Sequence, residues 1–220
     1  MSIAYLNGQY LDLEKATVPV LDRGFLFGDG VYEVIPVFAG NTFRFSNHIK
    51  RLHRSLSEIH MSYSQSEAAW LELCEGLIER NEFDNATIYL QVTRGSYLDR
   101  NHDFPTLGEP TVFAMISALP PVQKRWQDAD IKGYSVITES DIRWQRCDIK
   151  AITLLANCML KQKAVESGAD DTILVRNGEA SEATSSNLFI VRDDTVITPP
   201  LSEHLLAGVT RDFILMLAKQ

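Results

Sequence analysis

Residues 31–61, "VYEVIPVFAGNTFRFSNHIKRLHRSLSEIHM", change their period in mid-stretch. Up to Phe45 they are rich in β-branched and aromatic side chains and break at Ala39-Gly40-Asn41, which predicts two strands joined by a tight turn. From Ser46 or Asn47, either of which suits an N-cap, Ile49, Leu52, Leu56 and Ile59 recur at helical spacing and predict an amphipathic helix. Within the strand, alternation sets Tyr32, Val34 and Pro36 on one face and Glu33 and Ile35 on the other, so only one of these sets can line a site.

Outward from this stretch, the switch between periods repeats. "IAYLNGQYLDL" (3–13) is two short alternating runs joined by Asn7-Gly8, a strong hairpin signal, and "DRGFLFGDG" (22–30) reads as a loop. "SEAAWLELCEGLIERNE" (66–82) carries Trp70, Leu71, Cys74, Leu77 and Ile78 along one side of a second helix, after which "ATIYLQVTRG" and "TVFAMISAL" return to strand. Strands, then helices, then strands define a small N-terminal α+β domain over 1–118. Pro120-Pro121 and the polar residues after them make a stiff linker over 119–125. A larger C-terminal α/β domain, 126–220, begins with "YSVITES" and has turns at Asn177-Gly178 and Asp193-Asp194. Its last helix, in "GVTRDFILMLAKQ", starts at Thr210 and reaches Gln220 without a C-cap. The expectation is that the natural product is longer and that this domain is incomplete. The fold class is α+β with two domains.

Composition excludes several functions. With 21 Lys plus Arg against 29 Asp plus Glu, the net charge is −8, which leaves no basic footprint for nucleic acid. An anionic ligand must then be met by a local cluster of donors. No basic-then-apolar leader opens the chain, and no stretch approaches the roughly 18 apolar residues of a membrane span; a cytoplasmic protein is expected. Cys74, Cys147 and Cys158 are odd in number and lack CxxC spacing, against both a disulfide framework and a zinc site. The histidines show no metal-ligand pairing. GxxxxGK[ST], GxSxG and HExxH are absent, and Gly24, Gly28 and Gly30 precede a strand rather than open a helix, so they form no dinucleotide fingerprint.

What remains is a set of polar residues in unexpected company. In "DIRWQRCDIKAITLLANCMLKQKA" (141–164), a helical pattern running from Ile152 through Leu155 and Met159 puts Lys150 at a strand-to-helix junction. A lysine there either snorkels its head to water or keeps a partly desolvated, nucleophilic amine suited to Schiff-base chemistry on a carbonyl. Glu182, in "SEATSSN", is a lone acid at a strand end among small hydroxyl residues, either an exposed loop glutamate or the buried carboxylate that an aromatic-nitrogen cofactor needs. Gly208, Val209 and Thr210 open a helix, where free N–H groups cap the turn or hold a phosphate. Arg51 could complete such an anion site. In "DRNHDF" (99–104), an extended backbone would point Arg100 and His102 the same way, towards solvent or towards one carboxylate.

With these residues assembled, the chain resembles the fold-type IV pyridoxal-phosphate enzymes, and within them the bacterial D-amino-acid aminotransferases. The resemblance is carried by "DRGFLFGDGVYEV", "HIKRL", "IYLQVTRG", "DIRWQRCDIK", "SEATSSNLF" and "GVTRD". It implies transamination between a D-amino acid such as D-alanine and a 2-oxo acid such as 2-oxoglutarate. It further implies that Lys150 binds pyridoxal 5'-phosphate covalently and moves the substrate proton, and that Glu182 pairs with the ring nitrogen. By the same resemblance Arg51, Val209 and Thr210 hold the phosphate, Leu206 packs on the ring, and Tyr32, Arg100 and His102 trap the substrate carboxylate. The family is homodimeric, with the Arg100 and His102 loop serving the partner's site. Other reactions on this fold are aminodeoxychorismate lysis and branched-chain or (R)-amine transamination, and a product serving only in dimerisation or binding is the non-enzymatic alternative.

Overall fold

The computed structural model describes residues 2–105, 108–119 and 133–220. They form two compact units, one drawn from Met1–Gln123 with Lys150–Thr153, the other from Lys124–Ile149 with Leu154–Gln220. From Pro120 onward, the linker expected over 119–125 lies outside the described residues.

In the first unit, β1 (Ile3–Leu6) and β2 (Gln9–Asp12) form the expected hairpin. Its Asn7 and Gly8 both have positive φ, 46° and 92°, as a two-residue hairpin turn of matching twist requires. "DRGFLFGDG" is not a plain loop. It contains a single helical turn, α1 (Arg23–Phe27), whose start is capped by Asp22 Oδ1 accepting from the Gly24 N–H at 2.8 Å. Gly28, at φ 67°, stops the turn, and a Cβ there would sit 2.4 Å from Thr153 Cγ2. A helix this short shows no 3.6-residue repeat, so periodicity could not reveal it.

β3 (Gly30–Phe38) and β4 (Asn41–Thr42) form the second hairpin. α2 (Phe45–Glu58) begins before the expected caps: Arg44, at φ 51°, turns the chain left-handed into the helix with no side-chain cap, and Ser46 bonds Glu67 instead. α3 (Glu67–Asn81) is capped by Ser66, whose Oγ accepts from the Ala69 N–H at 3.2 Å. With β5 (Ala86–Thr93) and β6 (Thr111–Ala118), the strands make an antiparallel sheet in the order β2-β1-β6-β5-β3-β4. One face buries Val31, Ile35, Val37, Ile88, Leu90 and Val92, and the inner sides of α2 and α3 bury Ile49, Leu52, Leu56, Trp70, Leu73 and Leu77. On the other face Tyr32 stacks on Tyr89 at 5.5 Å, and Tyr89 in turn tilts against Phe113 at 6.5 Å. Residues 150–152 run along the open edge at the start of β3. The Tyr32 N–H donates to Lys150 O (3.0 Å), Ile152 N–H donates to Gly30 O (3.1 Å), and Val31 bridges Ala151.

In the second unit, β7 (Val136–Ser140) and β8 (Asp171–Arg176) are parallel, and β9 (Glu179–Ala183) returns antiparallel to β8. α4 (Leu155–Glu166) lies in the connection that a parallel pair requires and buries Leu160 and Ala164. Leu155 and Met159 are 75% and 52% exposed, so the apolar run from Ile152 is not the inner face of this helix. β10 (Ile190–Arg192) and β11 (Thr195–Ile197) form a small hairpin turned by Asp193 and Asp194, both at positive φ, as are Asn177 and Gly178 between β8 and β9. α5 (Val209–Leu217) begins one residue before the expected Thr210, with Gly208 as its N-cap. Among the described residues no helix is long and apolar enough to cross a membrane.

Candidate active site

Lys150 is not at a strand-to-helix junction: α4 starts only at Leu155, and Lys150 sits in the irregular segment paired with β3. Its N–H donates to Ser55 Oγ at 3.3 Å, and Ser55 is fully buried on α2. Strand and helix together therefore fix this backbone. Its Nζ lies 4.2 Å from the centre of the Tyr32 ring, within cation–π range. The half-buried lysine thus rests on an aromatic ring, on the sheet face opposite Glu33. Burial pushes the Tyr89 hydroxyl behind that ring up to about 12, so the stacked partner stays neutral at physiological pH.

The Glu33 face holds Arg51. Arg51 Nε donates to Glu33 Oε1 (2.7 Å) and Nη2 to Oε2 (2.8 Å), a two-pronged pairing that fixes the guanidinium plane. His48 Nδ1 stands 2.8 Å from Oε2. His48, Arg51 and Ser55 recur at helical spacing on α2, a polar stripe inside an otherwise apolar face. Burial resists a charge on Glu33, but hydrogen bonds from Arg51 and His48 hold its carboxyl below the ordinary 4.5. An acid depressed by folding adds stability that is complete above the unfolded value and is lost as pH falls through the lower folded value. Glu33→Gln is expected to cost about 3–5 kcal/mol at neutral pH and to flatten the fall of Tm below pH 4.5. Melting curves as acid-sensitive as those of the parent chain would contradict this.

Arg100 and His102 belong to no strand, so two-residue alternation does not apply. Both side chains nevertheless reach one ring: Phe27 takes the Arg100 guanidinium at 5.0 Å and the His102 ring at 5.2 Å.

In the second unit Glu182, on β9, is 5% exposed. Its Oε1 accepts from Arg143 Nη1 at 2.6 Å, its Oε2 from Asn187 Nδ2 at 3.1 Å, and the Leu206 N–H reaches both oxygens at 3.3 and 3.2 Å. Burial raises its pKa, which Arg143 and the Leu206 amide oppose. Arg143 is itself held by Asp141, at 2.9 Å through Nε and 3.0 Å through Nη2, and donates to His204 O at 3.2 Å. Burial works against the Asp141 charge, yet its bonds to Arg143 keep the carboxyl below the usual range. Asn187 also donates to Leu206 O at 3.0 Å, and its Oδ1 stands 1.9 Å from where a Gly208 Cβ would be, so only glycine fits there. That glycine leads into α5, whose first turn carries Val209 and Thr210 and has no side-chain cap. The first N–H groups of such a helix have no acceptor within it.

Sequence reasoning missed Glu33, His48, Arg143 and Asn187 as supporting residues. All four carried a signal, since each falls inside one of the quoted motifs. Glu33 carried a second one, as the single acid in an apolar strand.

Residues 30–220 match the amino-transferase class IV family, and the chain belongs to it. It is 39% identical over 214 residues to a D-alanine aminotransferase of Bacillus licheniformis, covering 97% of this chain and 74% of that protein. It is 37% identical over 219 residues to a D-alanine aminotransferase of Staphylococcus aureus (strain N315), covering 100% of this chain and 76% of the relative. Among solved structures, the branched-chain amino acid aminotransferase of Escherichia coli superposes with a TM-score of 0.89 at 26% identity, covering 99% of this chain and 74% of that one. The branched-chain aminotransferase of the thermophilic archaeon Thermoproteus uzoniensis, solved with norvaline, shares the fold, with a TM-score of 0.85 at 24% identity, over 99% of this chain and 74% of the other.

Proposed function

We propose that this chain transfers the amino group of a D-amino acid such as D-alanine to a 2-oxo acid such as 2-oxoglutarate, using pyridoxal 5'-phosphate. The observation that carries the reading is Lys150, an amine set on Tyr32 by a backbone that β3 and α2 both hold. The identity to D-alanine aminotransferases supports the choice of donor.

The residues fit the cofactor's chemistry. It needs an amine for its aldehyde, a carboxylate for its ring nitrogen and hydrogen-bond donors for its phosphate. In this reading Lys150 would hold the cofactor through Nζ at the aldehyde carbon, whose oxygen leaves as water, and would carry a proton to and from the substrate α-carbon. Glu182 would pair with the ring nitrogen and Leu206 would pack against the ring. Arg51 and the first-turn amides of Val209 and Thr210 hold the phosphate. When bound, the cofactor supplies an electron sink for negative charge at the α-carbon. Tyr32, Arg100 and His102 receive the substrate carboxylate, and the anchoring of that group selects the hand of the donor. A homodimer belongs to the same proposal, with the exposed Arg100 and His102 serving the second copy.

Mixing the chain with pyridoxal phosphate tests the core of this. A visible absorption band that borohydride abolishes is expected, together with pyruvate formation from D-alanine and 2-oxoglutarate; a colourless, inactive mixture sinks it. Arg100→Ala is expected to raise KM for D-alanine about 10- to 100-fold, the scale of losing a hydrogen bond to a charged group, with the absorption band intact. An unchanged KM removes the carboxylate assignment.

A further inference from the structure

The proposed function gives Arg23 no part, although it is the second residue of "DRGFLFGDG" and is only 6% exposed. Its guanidinium is directed at consecutive backbone carbonyls of the loop that carries Arg100 and His102. Nη1 donates to Asn101 O at 2.5 Å and to Asp103 O at 3.3 Å, and Nη2 donates to His102 O at 3.2 Å. Its Nε donates to Asp29 Oδ2 at 2.7 Å, the same oxygen that accepts Arg94 Nε at 2.8 Å. Burial resists the Asp29 charge, but hydrogen bonds from Arg94 and Arg23 hold its carboxyl below the usual range. Arg94 also lies over the Phe104 ring at 3.8 Å and donates to Ile59 O at 2.7 Å, so the far end of the loop is fastened too. One turn of α1 further on, the Phe27 ring receives Arg23 at 4.8 Å alongside Arg100 and His102.

Residues 100–103 are exposed and belong to no helix or strand. A loop without ladder hydrogen bonds keeps one conformation only through partners of this kind. Only arginine has the planar fork of five donors that can grip neighbouring carbonyls and an acid together; a lysine ammonium offers a compact point charge.

We propose that Arg23 and Phe27 are positioning residues for substrate recognition, holding the loop and the ring contacts that place Arg100 and His102 to receive the substrate carboxylate. This rests on the proposed function and adds to it the brace that makes the carboxylate trap rigid. Neither residue touches the reacting atoms; both act through the loop.

The test uses the full chain loaded with pyridoxal phosphate. Arg23→Lys is expected to raise KM for D-alanine about tenfold, the effect of a small misplacement of a binding group, with kcat changed less than about threefold and the absorption band unaltered. D-Alaninol, the same donor without a carboxylate, is expected to bleach the bound cofactor at the parent rate. Peptides spanning 99–104 should exchange amide hydrogens faster in the variant. Combining Arg23→Lys with Arg100→Ala should add nothing to the KM of Arg100→Ala alone. If Arg100→Ala raises KM but Arg23→Lys does not, the brace is wrong while the proposed function stands. If D-alaninol slows as much as D-alanine, Arg23 supports the fold in general and the brace is again wrong. If Arg100→Ala itself has no effect, the substrate assignment fails and the brace with it. Should Arg23→Lys fold poorly, Phe27→Leu, which leaves the guanidinium in place and withdraws the ring, decides by the same KM comparison between the two donors.

Discussion

Replacing Lys150 with alanine is expected to cut turnover of D-alanine with 2-oxoglutarate by about 10^4-fold, since one group is both the covalent attachment and the proton carrier. The structure makes this a clean deletion. Besides the contact of its Nζ with the Tyr32 ring, residue 150 is held through its backbone: its carbonyl accepts from Tyr32, its N–H donates to Ser55, and Ala151 bridges Val31. None of those bonds uses the side chain. The alanine variant should therefore melt close to the parent temperature, lose the borohydride-sensitive band, and still take up the cofactor through its other donors. Added methylamine, a free amine of similar chemistry, should recover part of the proton transfer. Undiminished turnover would falsify the assignment of Lys150 and with it the proposed function.

Glu182→Gln should be the next most damaging change, with kcat reduced about 10^2- to 10^3-fold, the range for removing one pre-set electrostatic partner from a dry site. An amide has nearly the same shape, but it turns an N–H towards either Arg143 or the Asn187 amide, both of which donate to the present carboxylate. It also carries no charge to keep a ring nitrogen protonated. Arg143 retains Asp141, so the fold should lose only about 1–3 kcal/mol. Glu182→Asp, which keeps the charge on a shorter arm, should lie between parent and Gln. Two variants of equal activity would show that charge is not what this position contributes. A Gln variant with parent kcat would remove Glu182 from the chemistry altogether.

Much of the architecture could be read from the chain because its signals are local. The Asn7-Gly8 hairpin, the alternation from Val31 to Phe38 and the inner stripes of α2 and α3 all depend on residues within a few positions of one another. The start of α2 escaped because a left-handed arginine did the work expected of Ser46 or Asn47. The placement of Lys150 escaped for a different reason. Periodicity after Ile152 suggests a helix, whereas residues 150–152 are governed by the unpaired edge of β3, more than a hundred positions earlier. No window of sequence contains that constraint. The candidate residues were recognisable through motif resemblance, while their supports were not. The pairing of Glu33 with Arg51, of Arg143 with Glu182 and of Arg23 with the carbonyls of 101–103 are tertiary facts.

The separation of residues 150–153 from the rest of their unit bears on how the chain is made. During synthesis the N-terminal residues leave the ribosome with the Tyr32 N–H and the Gly30 carbonyl still open to water, and those groups close only when Lys150 and Ile152 emerge. The lysine and the last hydrogen bonds of the early sheet therefore arrive together. A nascent chain halted before Lys150 should exchange its Tyr32 amide freely, and one halted beyond Thr153 should protect it.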